Sequence, residues 1–445
     1  MPLLYLVCTV ALFQETFLSL MGLTGITLFL ARSLVDALSL IVFAYAVFRN
    51  TLERRAFNLS GTNYEKVFFA FLIYSVVISI ITQSSSLGVN AAEIFVLNRF
   101  IFIALTVPLL ASSEKDVQRL MLFVWAMILL QLLIGAVQFI GGPPVIDIFR
   151  PNDYSNVMAG TDRSFTSNRG LDRSMLIGTV GDFISFAYVM CFGVLLLLAK
   201  KVLRIRDIVA LTAFLSFVFL SGSRTIFLCT FTIIVLTLLY RMPLHWRLFS
   251  FSGIFIVTIP LIGILFDVAA AMEYQGTSFW ALFRPELLSS LMNQRLGHAL
   301  LYLPKFLTDP NSFFGLSPDR FYVADYVNQV YTSELPYRFL YSFADTVEDF
   351  YPSALISYYG IFGASIFYLM QLKLFTHAVK TSSDQNEVLA QTSRLVLLLI
   401  ITLNLLSFGN QSFENRGLSL LFWITIGAYN SLLILRRKTD SVSQI

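Results

Sequence analysis

The sequence predicts an all-α fold: a polytopic transmembrane helix bundle of eleven or twelve spans with a long helical periplasmic loop. Three observations predict it. The chain has 445 residues, of which 57% are hydrophobic and only 13% charged, with a mean hydropathy of +0.74. Soluble domains carry about 25% charged residues, so this chain lacks the charge to coat a soluble surface. That excludes a soluble enzyme, a disordered chain and a nucleic-acid-binding protein, and a net charge of +4 is too small to argue for a polyanionic partner. Apolar runs near the ~20 residues needed to cross hydrocarbon recur along the chain. Basic residues concentrate in alternate connections.

In chain order the spans fall at 3–22, 26–48, 66–83, 92–111 and 120–140, then 181–199, 206–221, 224–240 and 248–266, and finally 351–371, 394–409 and 418–435. The first two also read as one helix plus a tilted or broken one. These runs divide the chain into N-terminal membrane helices (1–140), a first periplasmic segment (141–180), central membrane helices (181–266), a large periplasmic loop (267–350) and C-terminal membrane helices (351–445). Met1-Pro2-Leu3-Leu4-Tyr5 carries no Lys or Arg ahead of its apolar run, so the first helix is expected to remain rather than be cleaved. Cys8, Cys191 and Cys229 lie in apolar runs without metal spacing and do not read as a disulfide framework.

Charge sets the expected orientation. One set of connections holds 18 of the 31 basic residues, from Arg49, Arg54, Arg55 and Lys66 through Lys200, Lys201, Arg204 and Arg206 to Arg436, Arg437 and Lys438. By the positive-inside rule this face and both termini are cytoplasmic. The remaining 13 are twelve arginines and Lys305. Arginine grips phosphate or carboxylate with a two-pronged fork. The bias points to a phosphate-bearing ligand on the outer face, against the plainer reading that small counts fluctuate.

The first outer segment opens with Gly141-Gly142-Pro143-Pro144, which stops a helix, and then gathers Arg150, Arg163, Arg169 and Arg173. It closes on Gly178-Thr179-x-Gly181-Asp182, where glycines leading into a helix offer backbone N–H groups to an anion. Ser221-Gly222-Ser223-Arg224-Thr225 sets an arginine at the outer membrane edge. That residue either holds a ligand, snorkels to headgroups or pairs with Asp182. The large outer loop predicts an amphipathic helix over 286–303, bounded by Pro285 and Pro304, with Arg295, His298 and Tyr302 as its polar stripe. A turn-rich Asp309-Pro310 to Gly315 follows. The loop closes on Asp345, Glu348 and Asp349, which read as salt-bridge partners or as a general base. Glu15, Asp36 and Arg99 fall inside spans and read as structural ion pairs ahead of substrate contacts.

Four of these features, in this order, resemble the O-antigen polymerase and ligase superfamily, Wzy-type membrane glycosyltransferases of the GT-C class. They are Arg173 through Gly178-Thr179-x-Gly181-Asp182, Ser221-Gly222-Ser223-Arg224, Arg295 followed by Asp309-Pro310 and Gly315, and Glu348-Asp349 through Leu355 and Tyr359-Gly360-Ile361-Phe362-Gly363. Each is short and degenerate; together they cover roughly residues 140–370. The resemblance implies a metal-independent polymerase in the bacterial inner membrane. It would join undecaprenyl-pyrophosphate-linked repeats into O-antigen (a part of lipopolysaccharide), capsule or exopolysaccharide at the periplasmic face, without a cofactor. Arg169, Arg173, Arg224 and Arg295 would hold the pyrophosphate, and Asp349, then Glu348, then His298 would supply the base. The expected partners are the lipid-linked donor and acceptor and membrane lipid, with a chain-length regulator as a further candidate and no nucleic acid.

The ligases of that superfamily share a histidine where this chain has Glu348-Asp349, which favours polymerase over ligase-like transferase. The sequence has no Asp-x-Asp pair, the usual metal–nucleotide signal; its near match, Glu114-Lys115-Asp116, falls on the cytoplasmic side. A flippase for lipid-linked oligosaccharide is the alternative from another class. Against it, the sequence shows neither inverted repeats nor a broken helix.

Overall fold

The computed structural model describes residues 1–21, 34–53, 64–82, 90, 94, 100–149, 176–241, 302–319, 322–323, 325–327, 350–407 and 415–442. Among them the regular structure is helical and no strand occurs. The helices are α1 (Pro2–Leu20), α2 (Leu34–Leu52), α3 (Tyr64–Ile81), α4 (Ile101–Leu110), α5 (Glu114–Gly141), α6 (Pro143–Phe149), α7 (Phe183–Leu198), α8 (Ile205–Leu220), α9 (Arg224–Arg241), α10 (Tyr351–Thr381), α11 (Glu387–Leu406) and α12 (Arg416–Val442). Every expected span except 248–266, which lies outside the described residues, falls at least partly on one of them. Helices α2, α3, α5, α10, α11 and α12 are long and apolar enough to cross a membrane. The chain is a multi-pass helical membrane protein.

Local chemistry explains the boundaries. Ser113 caps α5 in a reciprocal box with Asp116, and Gly142 ends it at φ 66°. Burial alone would raise the Asp116 carboxyl, but hydrogen bonds from the Ser113 side chain and from the Ser112 and Ser113 N–H groups hold it below the usual range. Helix α2 is described from Leu34, and it carries Asp36 near that end and Arg49 in its last turn. Both charges suit the helix dipole. Helices α7 and α12 are buried nearly all round, which marks them as the bundle's centre. Gly427 lets α12 approach α4: a Cβ there would lie 2.9 Å from Ala104 O, the close packing that small residues allow between membrane helices.

Helix α10 departs from the expected single span over 351–371. Gly360 adopts φ 68°, ψ 178° and divides it into limbs 351–359 and 361–381. In a straight helix Tyr351 and Phe367 would stand about 24 Å apart along the axis. Their rings are 6.1 Å apart, and Tyr351 N donates to Ser407 O at the end of α11 (2.9 Å). The first limb therefore folds back along the second, and the limb 361–381 is the one that runs the length of α11. A lone glycine in an apolar run is tolerated by a continuous helix, so the sequence pattern hides this reversal.

The bundle has two unlike ends. At one, Lys200 pairs with Asp207 (2.7 Å), Arg394 with Glu387 (2.6 Å) and Arg436 with Asp384. Arg241 donates to Lys200 O (2.6 Å) and Asn386 to Glu114 (2.9 Å). We call this the ionic end. The opposite end, held chiefly by neutral side chains and glycine turns, is the neutral end.

Candidate functional site

All four family-like features have described residues, and these lie at the neutral end. The turn 176–182 is buried between α1 and α5. Gln138 Oε1 accepts from Ile177 N (3.2 Å) and Gly178 N (2.9 Å), and its Nε2 donates to Gly178 O (2.8 Å). Gln131 Oε1 accepts from Thr179 N (2.9 Å), and its Nε2 donates to the Thr179 hydroxyl. That hydroxyl donates to Leu12 O (2.7 Å), while Thr16 donates to Thr179 O (3.0 Å). The start of α7 is capped by Asp182, which accepts from Ser185 N (2.7 Å). This corrects the expectation of an anion nest. The N–H groups of Ile177, Gly178 and Thr179 are taken by two glutamines, and that of Ser185 by the Asp182 carboxylate. Gln131 and Gln138 are the residues the sequence reading missed. Their signal was present: two amides seven positions apart share one face of an otherwise apolar helix.

The second feature is the turn between α8 and α9. Ser221 donates to Val218 O (2.7 Å) and accepts from Ser223 N (3.4 Å) around Gly222 at φ 81°. Arg224 is the first residue of α9, so this arginine enters at the neutral end.

The third and fourth features meet each other. Residues 313–316 lie across the reversal of α10. Leu316 N donates to Ser357 O (2.8 Å), and Phe362 N donates to Phe313 O (3.2 Å). One strap thus satisfies a carbonyl freed at the end of the first limb and an amide freed at the start of the second. The Tyr74 hydroxyl is shared between Phe314 O (2.7 Å) and Tyr359 O (2.9 Å). The strap touches the reversal so closely that a Cβ on Gly315 would lie 2.5 Å from Gly360 N and Tyr358 O. Upstream, Tyr302 is buried, bonded to Ser357 (2.8 Å) and stacked on Phe306. It is a core residue and not part of an exposed polar stripe. Asp309 accepts from Asn311 N (2.8 Å) and from the Tyr326 hydroxyl (2.9 Å). Burial first, and the bond to Asp309 second, push the Tyr326 phenol above its ordinary value.

Arg169, Arg173, Arg295, His298, Glu348 and Asp349 lie outside the described residues, as does Arg99. The described residues that follow them in the chain, Leu176, Tyr302 and Phe350, are buried at the neutral end. Glu15 stands close enough to Asp182 for the two charges to interact. Among the described residues no cluster of His, Cys, Asp and Glu could hold a metal ion. Compared with family models and with curated proteins, the chain finds no match.

Proposed function

We propose that the protein is a membrane glycosyltransferase that polymerises undecaprenyl-pyrophosphate-linked oligosaccharide repeats into O-antigen, capsule or exopolysaccharide. In this reading the ionic end and both termini are cytoplasmic, and the neutral end faces the periplasm. The observation that carries the proposal is the meeting of two family-like features. The Asp309-to-Gly315 strap and the Tyr359-Gly360 reversal, far apart in sequence, form one hydrogen-bonded unit. That unit stands at the same end as the Ser221–Arg224 turn, and its helix begins immediately after Glu348-Asp349.

The mechanism follows from the chemistry of the donor. Arg224 with Arg169, Arg173 and Arg295 would neutralise the pyrophosphate as it leaves the anomeric carbon. The acceptor hydroxyl oxygen forms the new bond to that carbon, and its proton passes to Asp349, with Glu348 and His298 as the other candidates. Pyrophosphate is already a good leaving group, so this scheme needs no second carboxyl acting as a general acid, unlike glycosidases. The reversal in α10 gives no support to a flippase. It lies beyond the stretch that pairs with α11, whereas transporter breaks lie near the membrane midplane.

The test is polymer laddering from purified lipid-linked repeats by Arg224→Ala and Arg295→Ala proteins. Both ladders should collapse to short products, and chelators should leave wild-type ladders unchanged. Near-normal ladders from both variants would remove these arginines from the site. Transfer to a lipid A core without laddering would reassign the chain as a ligase-like transferase.

A further inference from the structure

We propose that a groove at the ionic end, between α5 and α11, seats one anionic diacyl phospholipid. Both helices pack on α7, and a cavity of about 470 Å³ opens among the three. Its lining is graded. Gln118, Lys200 and Gln391 stand at the mouth, whereas Leu122, Trp125 and Leu395 line the deeper part. From Gln118 to Trp125 the helix rises about 10 Å. Polarity therefore falls from charged to apolar over the distance separating a lipid phosphate from its upper methylenes. The Trp125 ring, tilted against buried Phe214 at 5.6 Å, closes the floor. Leu122 is 66% exposed on the outer wall, so on a membrane-spanning helix the groove opens sideways to lipid.

Charge selects the headgroup. Lys200 Nζ is bonded to Asp207 at 2.7 Å, yet its side chain is 36% exposed, and an ammonium carries three donors. Two remain for phosphate oxygens. The acids nearby already have partners: Glu114 accepts from Gln118 (3.1 Å) and Asn386 (2.9 Å), and Glu387 is paired with Arg394. Lys115 and Arg119 on α5, and Lys201 and Arg204 beyond α7, leave this rim net basic. A zwitterionic headgroup brings no net charge to that surplus; an anionic one does. Basic pockets between membrane helices recognise anionic lipids on this principle.

The experiment is native mass spectrometry of the full-length protein in neutral detergent, titrated with phosphatidylglycerol or phosphatidylcholine of matched acyl chains. One phosphatidylglycerol should be retained about five-fold more tightly than phosphatidylcholine, the effect of one basic side chain at a membrane surface. Lys200→Gln should bring phosphatidylglycerol down to the phosphatidylcholine level. Leu122→Trp, which fills the groove from its lipid side without touching a charge, should lower retention of both. Equal retention of the two lipids by wild type, or unchanged retention in Leu122→Trp, overturns the proposal even if Lys200→Gln fails to fold. One-for-one displacement of phosphatidylglycerol by a polyprenyl phosphate would also overturn it.

Discussion

Replacing Gly360 with alanine tests whether the strap and the reversal of α10 are one unit. At φ 68°, ψ 178° the backbone occupies a region open essentially to glycine alone, and a side chain there costs about 1–3 kcal/mol. A Cβ would also collide with Phe313 O and stand 2.5 Å from Gly315 N. These are backbone atoms, which cannot swing aside as a side chain can. Relieving the clash lifts the strap and loses the Leu316–Ser357 and Phe362–Phe313 hydrogen bonds, about 0.5–1.5 kcal/mol each. The combined loss is about 2–6 kcal/mol. Since about 1.4 kcal/mol is tenfold, amide hydrogen exchange at Leu316 and Phe362 should accelerate by about 30-fold or more. Ala390 N, bonded to Asn386 O at the ionic end, should keep its rate, because opening is local. Tyr74→Phe removes the clasp without adding an atom and should accelerate the same two amides by about five-fold. Unchanged exchange in Gly360→Ala, or equal acceleration at both ends, would refute the reasoning.

Other outcomes follow from the same geometry. Gln138→Leu strips partners from Ile177 N, Gly178 N and Gly178 O and should lower stability by about 2–5 kcal/mol, read as a drop in melting temperature in detergent. A melt within a degree of wild type would mean the turn is held otherwise. Ser113→Ala should cost about 1 kcal/mol at neutral pH through loss of the α5 cap. The Asp116 carboxyl is held below its ordinary value, so its share of this stability is present above about pH 4, the unfolded value. It is lost as the pH falls through the folded value. The gap between Ser113→Ala and wild type should therefore narrow in acid, and a gap that widens would contradict the capping box.

The sequence was legible where one physical signal dominates. Runs such as Phe183–Leu198 must leave water whatever their neighbours do, so the helices and the all-α class could be read directly. The two sets of connections separated by charge because Lys200, Arg394 and Arg436 cannot be placed in hydrocarbon. What stayed hidden depends on pairs. Nothing at Gly360 alone distinguishes a tolerated glycine from a reversal; the distinction needs Gly315, a residue on a distant strap. The Gly178-Thr179 turn looked like a cradle for an anion because its N–H groups seemed available. Only the fold shows that Gln131 and Gln138 reach them first. A polar side chain inside an apolar helix is a request for a partner, and the sequence does not say which one.

The contrast between the two ends has a consequence for how the molecule responds to its surroundings. Ion pairs such as Arg394–Glu387 lie at an exposed rim and weaken as salt screens them, over a Debye length of about 10 Å at 0.1 M. The bonds of Gln131, Gln138 and Ser357 join neutral groups buried in protein, and those of the half-buried Tyr74 are likewise neutral, so mobile ions have little hold on them. Among the described ion pairs, ionic strength therefore acts at the ionic end. A rise in salt would relax the grip of α11 and α12 on their neighbours at one rim while leaving the strap and the glutamine-bound turn at full strength.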